Sequence, residues 1–183
     1  MTLTYLDTSA FMRNAESSAA SCSERNTKIR PFIRQILGDT KRQLACSELT
    51  LLEFHDKITT NLRSQQLPDC TEQWWGDARE EFLERIHSKR VLVLPTPPRA
   101  ALQVMTLVSA ATATQGRSVR ASDALHAHIA ARWSAEQGEQ VELVTCDGDF
   151  DAIVQIPGMG AVLSVRNLDV LAGTREGSDR RNQ

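Results

Sequence analysis

Short apolar segments alternate along this chain with longer segments whose apolar residues recur at helical spacing. Strands are predicted at residues 2–6, 43–46, 91–94, 141–145 and 162–165, with 91–94 as a buried strand. Helices are predicted at residues 28–38, 47–62, 71–87, 99–115 and 122–137. A short helix that runs into a flexible loop is predicted within residues 10–27, and a short helical turn at 147–154. This alternation predicts a single α/β domain in which helices flank a mostly parallel sheet.

The composition is that of a folded protein and excludes several classes of chain. Of the 183 residues, 41% are hydrophobic and 24% are charged, which excludes a wholly disordered or collagen-like protein. Only 5% are aromatic, so the core is expected to rest on Leu, Val, Ile and Ala. The formal net charge of -2 argues against a strongly basic nucleic-acid-binding protein, although a local basic patch is compatible with it.

The chain has the features expected of a cytoplasmic protein. No apolar run approaches the roughly 20 residues that span a bilayer, and residues 1–13 lack a signal-peptide pattern. The four cysteines are widely spaced and form no CxxC, which favours reduced thiols. Residues 1–172 are predicted to form the domain. The polar tail at 173–183 has no apolar anchor and is predicted to be disordered.

Acidic residues stand where two predicted strands end. Asp7 directly follows the first strand, and Asp147 follows the strand at 141–145, with Asp149 two residues later. In parallel sheets, ligands bind outside the carboxyl ends of the strands. A single aspartate at such a place is also a normal helix N-cap, so each of these acids indicates little by itself.

Two further acids lie among apolar neighbours in predicted helices. Glu53 could be a solvated surface residue, and Asp123 could be a first-turn acid that complements the helix dipole. Taken together, four acids can converge at one sheet edge, where a hard divalent cation such as Mg²⁺ or Mn²⁺ would relieve their repulsion. Two such ions roughly 4 Å apart would suit in-line hydrolysis of a phosphodiester.

Four short motifs around these acids resemble, in order, those of the PIN-domain family, which includes the VapC-like toxin ribonucleases. They are YLDTSAF at residues 5–11, SELTLLEF at 47–54, ASDALHA at 121–127 and LVTCDGDF at 143–150. Each motif is weak alone, but four in the same order across nearly the whole chain form a fairly specific pattern. The resemblance implies a three-layer α/β/α sandwich around a central, mostly parallel sheet.

The resemblance also implies a Mg²⁺- or Mn²⁺-dependent endoribonuclease, and many bacterial members are toxins of a toxin–antitoxin pair. The expected partners are therefore an RNA substrate, an antitoxin protein and a second copy of the chain in a homodimer. By matching positions, the carboxylates implied as catalytic and metal-binding are Asp7, Glu53, Asp123 and Asp147. Asp149 is a plausible fifth metal ligand, and Ser9 and Thr145 match hydroxyl positions that would orient the carboxylates.

Some assignments stay open at the level of sequence. Glu48 competes with Glu53 as the second acid; five residues apart on one helix, they cannot point the same way, and Glu53 is preferred by position. Arg117 and Arg120 precede the third motif and either clamp RNA phosphates or are solvated loop residues. His126, one turn after the acid of that motif, either forms a hydrogen bond near the site or packs in the core.

Two other functions use the same residues. A catalytically silent PIN-like domain would serve as an RNA-binding or assembly scaffold, although a scaffold has no need of clustered acids. A phosphatase acting on small molecules usually has a second aspartate two residues after its nucleophile, where this chain has Ser9. The sequence at 147–151 begins like an EF-hand, but Ala152 and Gly158 replace the glycine and glutamate that such a loop needs.

Overall fold

The computed structural model describes residues 1–16, 23–64, 71–116 and 118–174. Within these ranges the strands are β1 (Thr2–Leu6), β2 (Arg42–Ser47), β3 (Val91–Leu94), β4 (Val141–Thr145) and β5 (Leu163–Asn167). The longer helices are α1 (Thr8–Glu16), α2 (Glu24–Gly38), α3 (Glu48–Ser64), α4 (Glu72–His87), α5 (Ala100–Gln115) and α6 (Ala121–Gln137). The short helices are α7 (Asp149–Val154), α8 (Met159–Val162) and α9 (Leu168–Leu171).

The strands form one sheet in the order β3-β2-β1-β4-β5, and every neighbouring pair is parallel. In the centre, Tyr5 of β1 lies opposite Ala45 of β2 and Leu143 of β4. The parallel sheet predicted from the sequence is thus confirmed. After β1 the chain forms β2 and then β3 on one side of β1. It then crosses to the other side of β1 and forms β4 and β5 there. The carboxyl ends of β1 and β4 therefore meet at the switch point, where sheets of this kind bind ligands.

Helices cover both faces of the sheet, because successive side chains of a strand point to opposite faces. Leu6, Cys46 and Val144 face one core, which α1, α2, α3 and α4 complete. Tyr5 and Leu143 face a second core, which α5, α6 and α7 complete. The three-layer α/β/α sandwich is therefore confirmed, and its sheet is buried from both sides as parallel sheets are.

Three details differ from the sequence prediction. The strand β3, predicted to be buried, is an edge strand with β2 as its neighbour, and only Val91 of its four residues is buried. The helix α2 begins at Glu24 and not at residue 28, because the Ser23 side chain accepts a hydrogen bond from the Asn26 amide and caps it earlier. The helices α8 and α9 were not predicted, since four residues are too few to show helical periodicity.

The described part of the chain contains no helix that is both long and apolar enough to cross a membrane. Gly173 and Thr174 belong to this part, and the Thr174 hydroxyl donates to Asp169 Oδ1 at 3.0 Å. The predicted disorder at 175–183 lies outside the described residues. The domain boundary after residue 172 stays a prediction.

Two adjacent tryptophans of α4 test this packing. Trp75 is 1% exposed and is the largest fully buried side chain of the described residues, whereas Trp74 is half-buried beside it. We expect Trp75→Ala to lower the free energy of unfolding by about 3–5 kcal/mol, because it leaves a large cavity. Trp74→Ala, the matched control, should cost about 1 kcal/mol. Urea unfolding followed by circular dichroism measures both losses, and equal losses would contradict the packing described here.

Candidate metal centre

Asp7 lies at the carboxyl end of β1, where hydrogen bonds hold both of its carboxylate oxygens. Its Oδ1 accepts from the Ser9 hydroxyl at 2.7 Å and from the Ala10 amide at 3.1 Å, as an acid at a helix N-cap does. Its Oδ2 accepts from the Thr145 hydroxyl at 2.9 Å. The residue is 5% exposed, so the carboxylate is both buried and fixed in orientation.

Two hydroxyl groups join the end of β1 to the end of β4. Thr145 Oγ1 donates to Asp7 and accepts from the Asp147 amide at 2.8 Å. Ser9 Oγ also donates to Asp7 and accepts from the Cys146 amide at 2.8 Å. Both hydroxyls that the family motifs single out therefore contact Asp7, while their contribution to function stays a prediction.

Three further carboxylates converge beside this link. One oxygen each of Asp123, Asp147 and Asp149 lies within 4.8 Å of the others. Asp123 belongs to the first turn of α6, Asp147 follows β4, and Asp149 begins α7. The Asp147 Oδ1 accepts from the Asp149 amide at 3.0 Å, which fixes these two acids relative to each other. A helix start, a strand end and a short helix thus bring three acids to one edge of the sheet.

The guanidinium group of Arg120 pairs with all three of these acids. Its Nε lies 2.9 Å from Asp123 Oδ2 and 3.7 Å from Asp149 Oδ2, and its Nη2 donates to Asp147. The Arg120 side chain is 62% exposed, so it reaches the group from the solvent side. The structure thus places Arg120 as the counter-ion of the acids, rather than as an isolated loop residue. Arg117, the other arginine of the same sequence prediction, lies outside the described residues.

Ionisation is costly for two of the acids because they are buried. Burial raises the pKa of Asp123 to about 7; Arg120 opposes this rise, whereas the negative charges of Asp147 and Asp149 add to it. Burial also raises the pKa of Asp7, although its hydrogen bonds oppose the rise. A divalent cation among these groups would favour their ionised forms, since a nearby opposite charge lowers the pKa of an acid.

Glu53 of α3 lies outside the three-carboxylate group. Its Oε2 accepts from the Thr8 hydroxyl and lies 3.1 Å from His126 Nε2. Burial alone would raise the pKa of Glu53, but these hydrogen bonds outweigh it and lower the pKa to about 2. Glu48, the competing candidate, is exposed and accepts a hydrogen bond from the Thr96 amide at 3.0 Å. These contacts favour Glu53 as the second acid.

Two residues that the sequence did not assign to the site support its acids. His126 is 1% exposed and connects Glu53 to Tyr5, whose hydroxyl lies 2.7 Å from His126 Nδ1. Asn167, at the end of β5, donates from Nδ2 to the carbonyl of Asp147 at 3.0 Å and so supports the loop that carries this acid. The spacing of His126 along α6 was the available signal, but a packing histidine has the same local pattern. Nothing in the sequence pointed to Asn167.

The donor set of this centre fits a hard divalent cation. The candidate ligands are carboxylates, and Mg²⁺ and Mn²⁺ prefer oxygen ligands. Arg120 provides one positive charge to three of these acids, so the group carries excess negative charge when all three are ionised. An aspartate cluster that could hold a metal therefore lies where the carboxyl ends of β1 and β4 meet.

Comparisons with known proteins identify the same architecture. The family model of the PIN domain matches residues 4–155, which is most of the chain. A chain of VapBC-5, a toxin–antitoxin system from Mycobacterium tuberculosis, is 21% identical with a TM-score of 0.54, over 91% of this chain and 99% of that chain. A comparison with curated proteins found no match.

Two further solved structures are similar to this chain at the level of the fold. VapBC2 from Rickettsia felis, bound to a DNA fragment from its promoter, is 15% identical with a TM-score of 0.52, over 89% of this chain and 98% of that chain. FitAB bound to the IR36 DNA fragment is 20% identical with a TM-score of 0.55, over 90% of this chain and 94% of that chain. At these identities the likeness establishes the fold.

We expect Asp123→Asn to stabilise the metal-free protein above neutral pH. The pKa of Asp123 is about 7 in the folded state, and that of an unfolded aspartate is about 4. Between these values the folded state holds a proton that the unfolded state lacks, so the free energy of unfolding falls as the pH rises through this window. Asparagine does not ionise, so the free energy of unfolding of the variant does not fall in this window. In EDTA at pH 8 the melting temperature of the variant should exceed the wild-type value by about 5 °C.

Thermal melts in EDTA at acidic pH and at pH 8 measure this difference. Asp56→Asn, at an exposed position of α3, is the matched control and should show no difference that depends on pH. A gain from Asp123→Asn of equal size at both pH values would contradict the assignment. With Mn²⁺ at pH 8 the order should reverse, because only the wild type keeps the carboxylate that a bound ion would stabilise.

Proposed function

This chain belongs to the PIN domain family, and from that premise we propose that it hydrolyses RNA phosphodiesters at a Mg²⁺ or Mn²⁺ site held by carboxylates. The observation that carries the proposal is the convergence of Asp123, Asp147 and Asp149 at the carboxyl ends of the central strands. Asp7 is joined to this group through the single hydroxyl of Thr145. Buried acids that repel one another are costly to maintain unless a cation balances them.

The proposal gives each acid a role in holding the ion. Asp7, Glu53, Asp123 and Asp147 form the catalytic and metal-binding frame, and Asp149 is a fifth ligand. Ser9 and Thr145 fix the orientation of Asp7 through its two oxygens. A divalent ion bound there would lower the pKa of a bound water and stabilise the charge that develops at phosphorus.

Arg120 has two roles in this proposal. Without metal, its guanidinium offsets part of the negative charge of the three clustered acids. When a cation takes over that task, the largely exposed side chain is released to the rim of the site. There it can pair with an RNA phosphate, for which the planar guanidinium is well suited. Arg120 is thus the counter-ion of the acids in the metal-free protein and a substrate-binding residue in the metal-bound protein.

The biological setting follows from the structural neighbours. One similar structure is described as a member of the VapBC family of toxin–antitoxin systems, and two other VapBC structures are described as bound to DNA. We therefore propose that this chain is the toxin component of such a pair, bound by an antitoxin protein in the cytoplasm. We also propose a homodimer, for which the exposed Leu102 and Met105 of α5 offer apolar surface.

We expect Asp7→Asn to abolish metal-dependent RNA cleavage while the protein stays folded. The substitution keeps the shape of the side chain but removes the charge that the ion needs. Labelled single-stranded RNA, incubated with Mg²⁺ or Mn²⁺ and then with EDTA, measures the activity. The loss should be at least about 100-fold, the scale on which removal of a key electrostatic group acts. Asp56→Asn, in the same incubation, should cleave at the wild-type rate.

The outcomes of this experiment separate the candidate functions. A fully active Asp7→Asn would refute the assigned role of Asp7. A folded, partner-free wild type that cuts no RNA and is not stabilised by Mn²⁺ would instead favour the silent scaffold. Cleavage of a chromogenic phosphate ester, without RNA cleavage, would favour the phosphatase.

We expect Arg120→Ala to change metal binding and RNA binding in opposite directions. Removal of the tethered cation should lower the Mn²⁺ concentration for half-maximal thermal stabilisation by several-fold, since the ion no longer competes with it. At saturating Mn²⁺ the KM for RNA should rise by about 10-fold, because a phosphate contact is lost. Arg132→Ala is the matched control on α6, where Arg132 pairs with Glu136. If Arg120→Ala changes neither quantity, both roles of Arg120 are wrong.

A further inference from the structure

We propose that His126 is a positioning residue of the metal centre, which holds the carboxylate of Glu53 through Nε2–H in a tautomer fixed by Tyr5 and Glu53 together. The inference rests on the proposed function, because the orientation of Glu53 matters only where the carboxylates bind a metal. It goes beyond that function because it identifies the residues that hold Glu53 in position. These are His126 on α6 and Tyr5 on β1, which are distant in sequence.

The geometry places His126 between a core residue and a site residue. Its ring is almost completely buried, with Tyr5 Oη at 2.7 Å from Nδ1 and Glu53 Oε2 at 3.1 Å from Nε2. The Ser47 hydroxyl is a second, more distant neighbour of Nδ1, at 3.4 Å. Both ring nitrogens thus have partners, and one of these partners is a carboxylate near the site and not a core carbonyl.

Glu53 and Tyr5 together determine which nitrogen of His126 carries the proton. Tyr5 is fully buried in the centre of the sheet, and burial raises the pKa of its phenol, so the hydroxyl keeps its proton. A tyrosine hydroxyl can donate to or accept from a ring nitrogen, so the other nitrogen decides the direction of this contact. Nε2 faces a carboxylate oxygen of Glu53, which only accepts, and Nδ1 is therefore left to accept from the Tyr5 hydroxyl. A nitrogen that accepts a hydrogen bond carries no proton, so the neutral ring is protonated at Nε2. His126 is thereby set as a donor to Glu53.

The carboxylate of Glu53 is held at one oxygen only. Thr8 and His126 both donate to Oε2. As far as the described residues show, Oε1 is left for another ligand. Two donors on one oxygen fix the plane of the carboxylate and leave its other oxygen available to a cation. This is the arrangement that supporting residues give to metal ligands in general.

The position of His126 on α6 connects the two groups of acids. His126 follows Asp123 by three residues, so both side chains lie on one face of the helix. Asp123 joins the three-carboxylate group, and His126 reaches Glu53 on α3. The same helix therefore carries one acid of the three-carboxylate group and the residue that contacts Glu53.

The tautomer can be tested in the metal-free protein. Histidine labelled with ¹⁵N in the ring distinguishes protonation at Nδ1 from protonation at Nε2, and loss of one signal in His126→Gln assigns it. We expect His126 to be protonated at Nε2. Tyr5→Phe, which keeps the ring and removes the donor, should shift this signal towards a mixture of the two forms. A wild-type His126 protonated at Nδ1 would overturn the inference.

Metal affinity tests the positioning role. We expect His126→Leu to weaken Mn²⁺ binding and to lower kcat for RNA, each by about 10-fold or more, as loss of a residue that supports a metal ligand does. His126→Gln keeps an N–H donor and should restore most of both values. His128→Leu is the matched control on the same helix, since residues two apart face different directions. Calorimetry with Mn²⁺ and cleavage kinetics measure the two quantities.

The outcomes distinguish failure of this inference from failure of the proposed function. If the wild type binds Mn²⁺ and cuts RNA, and His126→Leu does so equally well, the positioning role is wrong. A wild type that does neither refutes the proposed function, and the role of His126 in metal binding with it. If His126→Leu does not fold, Tyr5→Phe carries the test, and an unchanged Mn²⁺ affinity together with an altered tautomer would overturn the role of Tyr5.

Discussion

Repulsion among clustered carboxylates, of which Asp7 and Asp123 are buried, is the constraint on which this structure depends. The sheet brings Asp7 and Asp147 to one edge, and α6 and α7 add Asp123 and Asp149. Packing does not lower the energy of such a group, since burial makes the charges of Asp7 and Asp123 more costly. Hydroxyl donors, a tethered arginine and a buried histidine all surround these acids. Each of these contacts is explained by the need to stabilise negative charge where several acids meet.

The topology creates the place where these acids can meet. After β1 the chain turns into α1 on one face of the sheet, whereas after β4 it turns into α7 on the other face. The two helices lie on opposite faces, and in sheets of this kind ligands bind between the ends of two such strands. The Thr145 hydroxyl connects the two strand ends, because it donates to Asp7 and accepts from the Asp147 amide. A parallel sheet whose strand order reverses at β1 is therefore sufficient to explain why the site forms there.

Much of the fold followed from local patterns, whereas the contacts of the site did not. Strand ends marked by Asp7 and Asp147 are visible in the sequence, because apolar runs and turn residues are local features. The edge position of β3 depends on pairing between distant strands, so its four apolar residues wrongly indicated burial. The hydrogen bond between Tyr5 and His126 joins residues 121 positions apart. No spacing rule reports a contact of this kind, since it exists only after the layers have packed.

The acids of this centre are not equivalent, and the difference decides where a cation acts. Glu53 has a pKa of about 2, because the hydrogen bonds of Thr8 and His126 outweigh its burial. Burial raises the pKa of Asp123 to about 7 despite the nearby Arg120. The protein therefore supplies the stabilisation of Glu53 from its own donors but leaves the ionisation of Asp123 incompletely balanced. A bound cation gains most of its electrostatic free energy from such an incompletely balanced acid. In the proposed metal centre, Glu53 would instead be a ligand that is already ionised and already in place.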